Sequence, residues 1–281
     1  MEIRSFNSTN RTLPVIGQGT WYNQDDDHDS AIDALRLGID LGMTHIDTAE
    51  MYLDGDAEIW VGEAIAGRRD QVFLVSKVLP QNASLNGTVA ACEGSLSRLG
   101  TDHLDCYLLH WRGRFPLAET VAAFERLQQQ GKILAWGVSN FDVSDLRETV
   151  AVEDGSHPAD DQVLYHLQER AIEHAVLPWC ERHNMAVVAY SPFGHGNFPS
   201  PDTPGGRLLK TIGTKHNATP RQVALRFLLR RPSVFAIPKS TTPDHVRENA
   251  GAGDLILTEV EIARIDKAFP LGPPPKELPV L

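Results

Sequence analysis

The sequence predicts a parallel (β/α)8 barrel in a single domain. Two observations carry this reading. Eight short apolar, β-rich runs alternate with stretches of helical spacing, the pattern of a parallel sheet whose crossovers are helices. No low-complexity segment or composition break divides residues 1–281, and α/β barrels commonly reach this length as one domain. A doubly wound sheet, the competing fold, expects G-x-G-x-x-G at its first strand-to-helix turn. Gly17 and Gly19 begin such a pattern, but Asn23-Gln24-Asp25-Asp26-Asp27 continues it with acid, which repels a pyrophosphate. Asp25 to Asp29 reads instead as a solvated turn ending in a helix-capping Asp.

The elements follow in chain order. Residues to 14 form a short extended cap, and the first barrel strand is Val15–Trp21, Gly-rich near its end. Ser30–Leu41 has helical spacing, with Ile32, Leu35 and Ile39 on one stripe and Gly42 as a stop. The second strand, from Thr44, closes on Asp47, and helix Ala57–Ala66 stops at Gly67. The third, Val72–Ser76, closes on Lys77, and helix Thr88–Leu99 stops at Gly100. The fourth, Leu104–Leu109, closes on His110, and helix Leu117–Gln130 stops at Gly131. Ile133–Ser139 and Val143–Val150 make the fifth pair; Gln162–Tyr165 and Ala171–His183 make the sixth. The seventh strand is Ala186–Tyr190, followed by a Pro/Gly-rich loop, Ser191–Gly206, and helical stretches Arg207–His216 and Pro220–Arg230. The eighth strand is Ser233–Ile237. Thr242-Pro243 opens the next helix with Thr as N-cap and Pro at N1. An extra C-terminal helix, Thr258–Ala268, precedes a Pro-rich tail.

The formal net charge of −11 argues against nucleic acid and against an anionic membrane surface as partners. Cys92, Cys106 and Cys180 have no metal spacing, and no His/Cys/carboxylate cluster predicts a metal. Reduced thiols, no signal pattern and no apolar run long enough to cross a bilayer read as a soluble cytoplasmic protein, with a monomer as the expectation.

Four polar residues stand out. Asp47, Lys77 and His110 close apolar runs, and Tyr52 lies one short loop beyond Asp47. In a parallel barrel these ends share the rim where such folds do chemistry. Each residue alone has an ordinary reading: a turn-capping Asp, a surface Lys, a core His, a rim aromatic. Together they form a proton-donating device. A phenol has a pKa of about 10; a nearby ammonium lowers it and makes Tyr52 a better acid. Lys77 is the candidate ammonium, Asp47 the carboxylate that keeps it charged, and His110 a donor that orients a carbonyl. Such a site protonates an oxygen becoming negative, as a carbonyl does on accepting hydride. No side chain supplies hydride, so a nicotinamide cofactor is required.

These residues sit in motifs that resemble the aldo-keto reductases: Gly19-Thr20-Trp21, His45-Ile46-Asp47-Thr48-Ala49-Glu50-Met51-Tyr52, Lys77 after the third strand, Leu108-Leu109-His110-Trp111, Gly137-Val138-Ser139-Asn140-Phe141 and Ile237-Pro238-Lys239-Ser240. The match runs in order over nearly the whole chain. It implies an NADPH-dependent reductase in which Asp47, Tyr52, Lys77 and His110 are the catalytic tetrad and Tyr52 gives the proton. It further implies that Ser139, Asn140 and Gln162 hold the nicotinamide carboxamide and that Tyr190 stacks under its ring. The same resemblance places Ser191, Phe193 and Gly194 beside the pyrophosphate, Lys239 and Ser240 on the adenosine 2′-phosphate with Thr241 and His245 beside them, and Glu248 and Asn249 near the adenine, with Gly19, Thr20 and Trp21 completing the expected cofactor set. Many members carry Arg where this chain has His245, which leaves a weaker, pH-dependent phosphate contact; Arg247 is a nearby substitute.

On the substrate side Trp21 and Trp111 wall the pocket. His195 and Phe198 lie in a loop that touches either substrate or cofactor. The short segment after Trp111 and the short tail predict an open mouth. Thr20-Trp21-Tyr22 and Asn249-Ala250 are similar to a bacterial branch associated with methylglyoxal and other α-dicarbonyls. Small aldehydes and activated ketones are therefore the expected substrates. Keto-sugars of the 2,5-diketo-gluconate type are the alternative within enzymes. Some relatives serve instead as cofactor-binding regulatory subunits of membrane channels, but no extended arm or basic surface segment supports that role here.

Overall fold

Eight strands lie parallel and in chain order in one curled sheet of the computed structural model, which describes residues 1–6, 9–152 and 157–281. They are β3 (Gln18–Gly19), β4 (His45–Asp47), β5 (Phe73–Val78), β6 (Leu104–Leu109), β7 (Ile133–Ser139), β8 (Asp160–Leu164), β9 (Ala186–Tyr190) and β10 (Val234–Ala236). Two further strands, β1 (Ile3–Ser5) and β2 (Thr12–Pro14), pair antiparallel as a hairpin. The curled sheet closes on itself through single bridges from Ile16 to Ala236 and from Gly19 to Lys239. Glycine is needed at this seam: a Cβ on Gly19 would lie 2.7 Å from the Ile237 carbonyl oxygen.

Side chains alternate across each strand. In β5, Leu74 and Val78 join the shell between sheet and helices, whereas Phe73 and Val75 join a second cluster inside the barrel. Lys77 continues the inward series. In β6, Tyr107 and Leu109 pack outward, Cys106 and Leu108 inward, and His110 follows in the inward phase. The same alternation carries Asp47, Ser139 and Tyr190 to the inward side at their strand ends, and Gln162 to the inward side in the middle of β8. Phe6, just after β1, and Leu13, within β2, are buried in the interior cluster, with the Phe6 ring 5.3 Å from Phe73 and 5.1 Å from Phe235. The N-terminal mouth is thereby plugged, and access is from the C-terminal mouth.

The outer layer comprises α1 (His28–Asp40), α2 (Asp56–Ile65), α3 (Leu85–Leu99), α4 (Leu117–Gln129), α5 (Val143–Val150), α6 (Val176–Arg182), α7 (Pro204–Lys215), α8 (Pro220–Leu228) and α9 (Pro243–Gly251), with α10 (Glu259–Ala268) after them. Asp27 caps α1 by accepting from the Ser30 N–H, so the helix starts at His28 and Asp29, the expected end of the acidic turn, falls in its first turn. Gly100 ends α3 in the left-handed region, where glycine carries no Cβ penalty.

Some boundaries differ from the sequence reading. β8 starts at Asp160, two residues before the expected Gln162, because two buried carboxylates open it. The stretch 171–183 splits into a 3-10 turn, Ala171–Glu173, and α6. α3 and α7 start three residues early, capped by Ser84 and Thr203. Thr242 occupies the cap position of α9, but its side chain makes no capping bond; Ser240 Oγ accepts from the Thr242 N–H instead, at 3.0 Å. Among the described residues no helix is long and apolar enough to cross a membrane.

Candidate active site

Asp47 of β4, Ser139 of β7, Gln162 of β8 and Tyr190 of β9, with His110 just after β6, line one cavity of 340 Å³ at the C-terminal mouth. Lys77 is fully buried at its base. Its Nζ donates to Asp47 Oδ1 at 2.5 Å, to the Thr48 carbonyl at 2.8 Å and to Tyr52 Oη at 3.3 Å. Gln162 Nε2 donates to the other Asp47 oxygen at 2.7 Å. Thr20 Oγ1 donates to the Asp47 carbonyl at 2.9 Å. Asp47, Lys77 and Gln162 are thus placed by strands, and Thr20 and Thr48 by the first residue after one. Tyr52 enters from a 3-10 turn, Tyr52–Gly55, in which Leu53 and Asp54 take positive φ. The His110 ring meets the Tyr52 ring edge-on, with centroids 5.7 Å apart.

The electrostatics follow from burial. Desolvation alone would lower Lys77, but Asp47 and Tyr52 overcome it, and its pKa lies above the ordinary lysine value. Burial raises the Tyr52 phenol; Lys77 pulls it down without overcoming the desolvation. The expected net lowering of Tyr52 by the ammonium is thus not what the free protein shows. Burial, and secondarily the Lys77 charge, push His110 down to about 2. The imidazole is therefore neutral near neutral pH, and its Nδ1 has no partner among the described residues.

Above this base lie the residues expected to meet a nicotinamide. Ser139 Oγ donates to the Gln162 carbonyl at 2.7 Å. Asn140, held at positive φ, donates through Nδ2 to the His110 carbonyl and to Ser139 Oγ, both at 3.2 Å. Tyr190 Oη donates to Asn140 Oδ1 at 2.8 Å. Trp21 is 41% exposed and stacks on Tyr52 on one side and on His195 on the other, with centroids at 6.3 and 5.0 Å. Trp111 lines the cavity beside His110, 4.8 Å between ring centres. Gly19, Thr20, Ser191, Phe193 and Lys239 also line it. Gly194, Ser240, Thr241, His245, Glu248 and Asn249 lie outside the lining. The last five flank or belong to α9, where His245 is exposed and Asn249 buried.

Three features were missed by sequence reasoning. Leu281 lines the cavity, and its backbone N–H donates to Tyr190 Oη at 3.4 Å, so the tail reaches the mouth that its shortness predicted to be open. His195, left undecided, stacks on Trp21 and lines the cavity. Asp26, read as part of a solvated turn, pairs with Lys239 at 2.6 Å. None of these contacts has a local signal, since each joins segments far apart in the chain. Arg247 lies exposed on α9, with its guanidinium 3.6 Å from Asp244.

Comparison with known proteins agrees with this geometry. The aldo/keto reductase family pattern matches residues 15–269. The chain is 48% identical over 261 residues to the methylglyoxal reductase YeaE of Escherichia coli (strain K12), covering 92% of each chain. It superposes on an aldo/keto reductase from Klebsiella pneumoniae in complex with NADP and acetate with a TM-score of 0.94, at 42% identity and with both chains fully covered. A Klebsiella pneumoniae aldo-keto reductase in complex with NADPH matches with a TM-score of 0.92 at 43% identity, again over both whole chains.

Proposed function

This chain belongs to the aldo/keto reductase family, and we propose that it is a cytoplasmic, monomeric NADPH-dependent reductase of small aldehydes and activated ketones such as methylglyoxal and α-diketones. The observation that carries the reading is the buried chain of contacts from Asp47 through Lys77 to Tyr52 Oη, opening on a cavity that His110 also lines. The likeness to a methylglyoxal reductase supports the substrate class.

The residues present fit a nicotinamide dinucleotide. Ser139, Asn140 and Gln162 offer amide and hydroxyl groups beside the Tyr190 ring, and Lys239 offers a cation at the outer end. The start of α9 adds backbone N–H groups without a Thr242 side-chain cap, a favourable place for a phosphate. When bound, NADPH supplies the hydride that the side chains lack.

The chain's own residues do the rest. His110, neutral and inside the cavity, donates a hydrogen bond to the carbonyl oxygen and fixes its direction. Tyr52 keeps its proton in the resting state because burial raises its pKa. As hydride reaches the carbonyl carbon, the oxygen takes the proton from Tyr52 Oη. The phenolate left behind lies 3.3 Å from the Lys77 ammonium, which stabilises charge where it develops. Asp47 holds Lys77 charged and, through Gln162, fixes it to β8.

Trp21 and Trp111 give the substrate space aromatic walls, and no arginine is among the described residues lining it. A carboxylated keto-sugar would find no forked cation there, which favours compact carbonyls over that alternative. With little binding energy available from remote substrate groups, turnover relies on carbonyls that are already electrophilic. Steady-state kcat/KM over matched pairs tests this. Methylglyoxal, small diketones and activated aromatic aldehydes are expected to be reduced well and their unactivated counterparts poorly. A preference for unactivated ketones or steroids rejects the assignment.

A further inference from the structure

Lys239 already holds an anion of the protein's own. Its Nζ donates to Asp26 Oδ2 at 2.6 Å, and the same oxygen accepts from the Asn23 backbone N–H at 2.7 Å. The ammonium also lies 5.5 Å from the centre of the buried Tyr22 ring. The Lys239 and Asp26 side chains are 28% and 15% exposed, so the pair is only partly screened by water. Asp26 comes from the loop after β3 and Lys239 from the segment after β10, neighbours only because the barrel closes between them. Lys239 and Asn23 both line the cavity. The carboxylate thus sits on the cation that an anionic ligand entering this end would use.

On the reading that Lys239 contacts the adenosine 2′-phosphate, we infer that Asp26 is a built-in competitor for that phosphate and sets how strongly NADPH is preferred over NADH. A phosphate must take the ammonium from Asp26 or share it with a like charge a few ångströms away, and both reduce the gain from binding. NADH carries no 2′-phosphate and leaves the pair intact. Asp26 therefore subtracts from NADPH affinity and not from NADH affinity. A carboxylate that instead strapped the loop over bound cofactor would strengthen both.

The test is Asp26→Asn, which removes the charge and retains an oxygen for the Asn23 N–H. Both cofactors are titrated by fluorescence in the full-length parent, Asp26→Asn, Lys239→Ala and the double variant. A partly exposed ion pair contributes up to about 1 kcal/mol, so Asp26→Asn is expected to tighten NADPH by about fivefold. NADH should stay within about twofold, since its binding leaves the pair unbroken. The tightening should vanish when Lys239 is already Ala, because contacting residues couple and independent ones add. Weaker NADPH binding by Asp26→Asn, equal changes for both cofactors, or a tightening that survives in the double variant would overturn the inference. If Lys239→Ala alone weakens both cofactors equally, it is the assignment of Lys239 to the 2′-phosphate that fails, and the competitor role falls with it.

Discussion

Asp47, Lys77 and Gln162 hang from strands and are buried against one another at the inner end of the cavity, whereas Lys239, Ser240 and His245 follow the last strand or sit on α9, with water beside them. The inner ammonium has three oxygen partners in fixed directions; the outer one has a single carboxylate from a loop. Preorganised charge is what a transition state needs, since nothing has to rearrange at the moment of reaction. An exchangeable partner suits a ligand that must bind and leave. Changes at the inner end should therefore appear in the rate of chemistry, and changes at the outer end in cofactor affinity.

Tyr52→Phe probes that division most strongly. It keeps the ring that stacks on Trp21 and removes the proposed donor oxygen. Carbonyl reduction should fall by about 10²–10⁴-fold, the usual contribution of a positioned general acid, while the dissociation constant of NADPH stays close to that of the parent. Near-normal single-turnover reduction would take Tyr52 out of the donor role; a large loss of NADPH affinity would blur the two ends into one site.

Lys239→Ala is the outer counterpart. Loss of the proposed charge-assisted phosphate contact, worth roughly 1.5–3 kcal/mol, should raise the NADPH dissociation constant by about ten- to a hundredfold. At saturating cofactor kcat should be retained. A fall in kcat with unchanged affinity would show that the outer lysine reports on chemistry after all.

A smaller effect tests how closed the inner end is. Asp160 projects into the barrel interior in the same phase as Gln162, where Cys106 Sγ donates to its Oδ1 at 3.5 Å. Burial pushes this carboxyl up to about 7 from its ordinary 3.8. The folded chain then keeps a proton that the unfolded chain releases, so folding is penalised progressively as pH rises from about 4 to about 7, and fully above that. Asp160→Asn removes the titration. Its Tm relative to the parent should rise between pH 5 and pH 8. A constant difference across that range would mean that Asp160 ionises in the folded barrel without cost, through water reaching the interior.

The same contrast explains what could be read in the chain itself. Asp47, Lys77 and His110 were legible because each ends an apolar run, and alternation along a strand decides which way such a residue faces. Tyr190, Ser139 and Gln162 were legible through the family motifs they belong to, not through strand position alone, since Gln162 falls in the middle of β8. Asp160 and Asp161 were not assigned to β8, because adjacent carboxylates ordinarily mark a turn and only the closed barrel shows them buried. The net direction of the Tyr52 shift was misread too: the nearby ammonium was visible in the motif, the depth of burial was not. At the outer end the acidic run after Tyr22 looked like a solvated turn. Its partner Lys239 lies 213 residues further on, and no local pattern links the two. Leu281 reached Tyr190 for an equally non-local reason.

The barrel's seam has a consequence for the order of events in folding and release. β3 to β10 are joined by ladders in chain order, but the sheet closes through isolated bridges, from Ile16 just before β3 to Ala236 and from Gly19 to Lys239 just after β10. These contacts join the most distant segments of the sheet, so they carry the largest loop-closure entropy and form late. They are also the contacts with least to lose by breathing. Gly19 and Lys239 stand face to face across that seam. A ligand held between the loops that follow them would act as the clasp of the barrel, and its departure would be timed by how often the staves part.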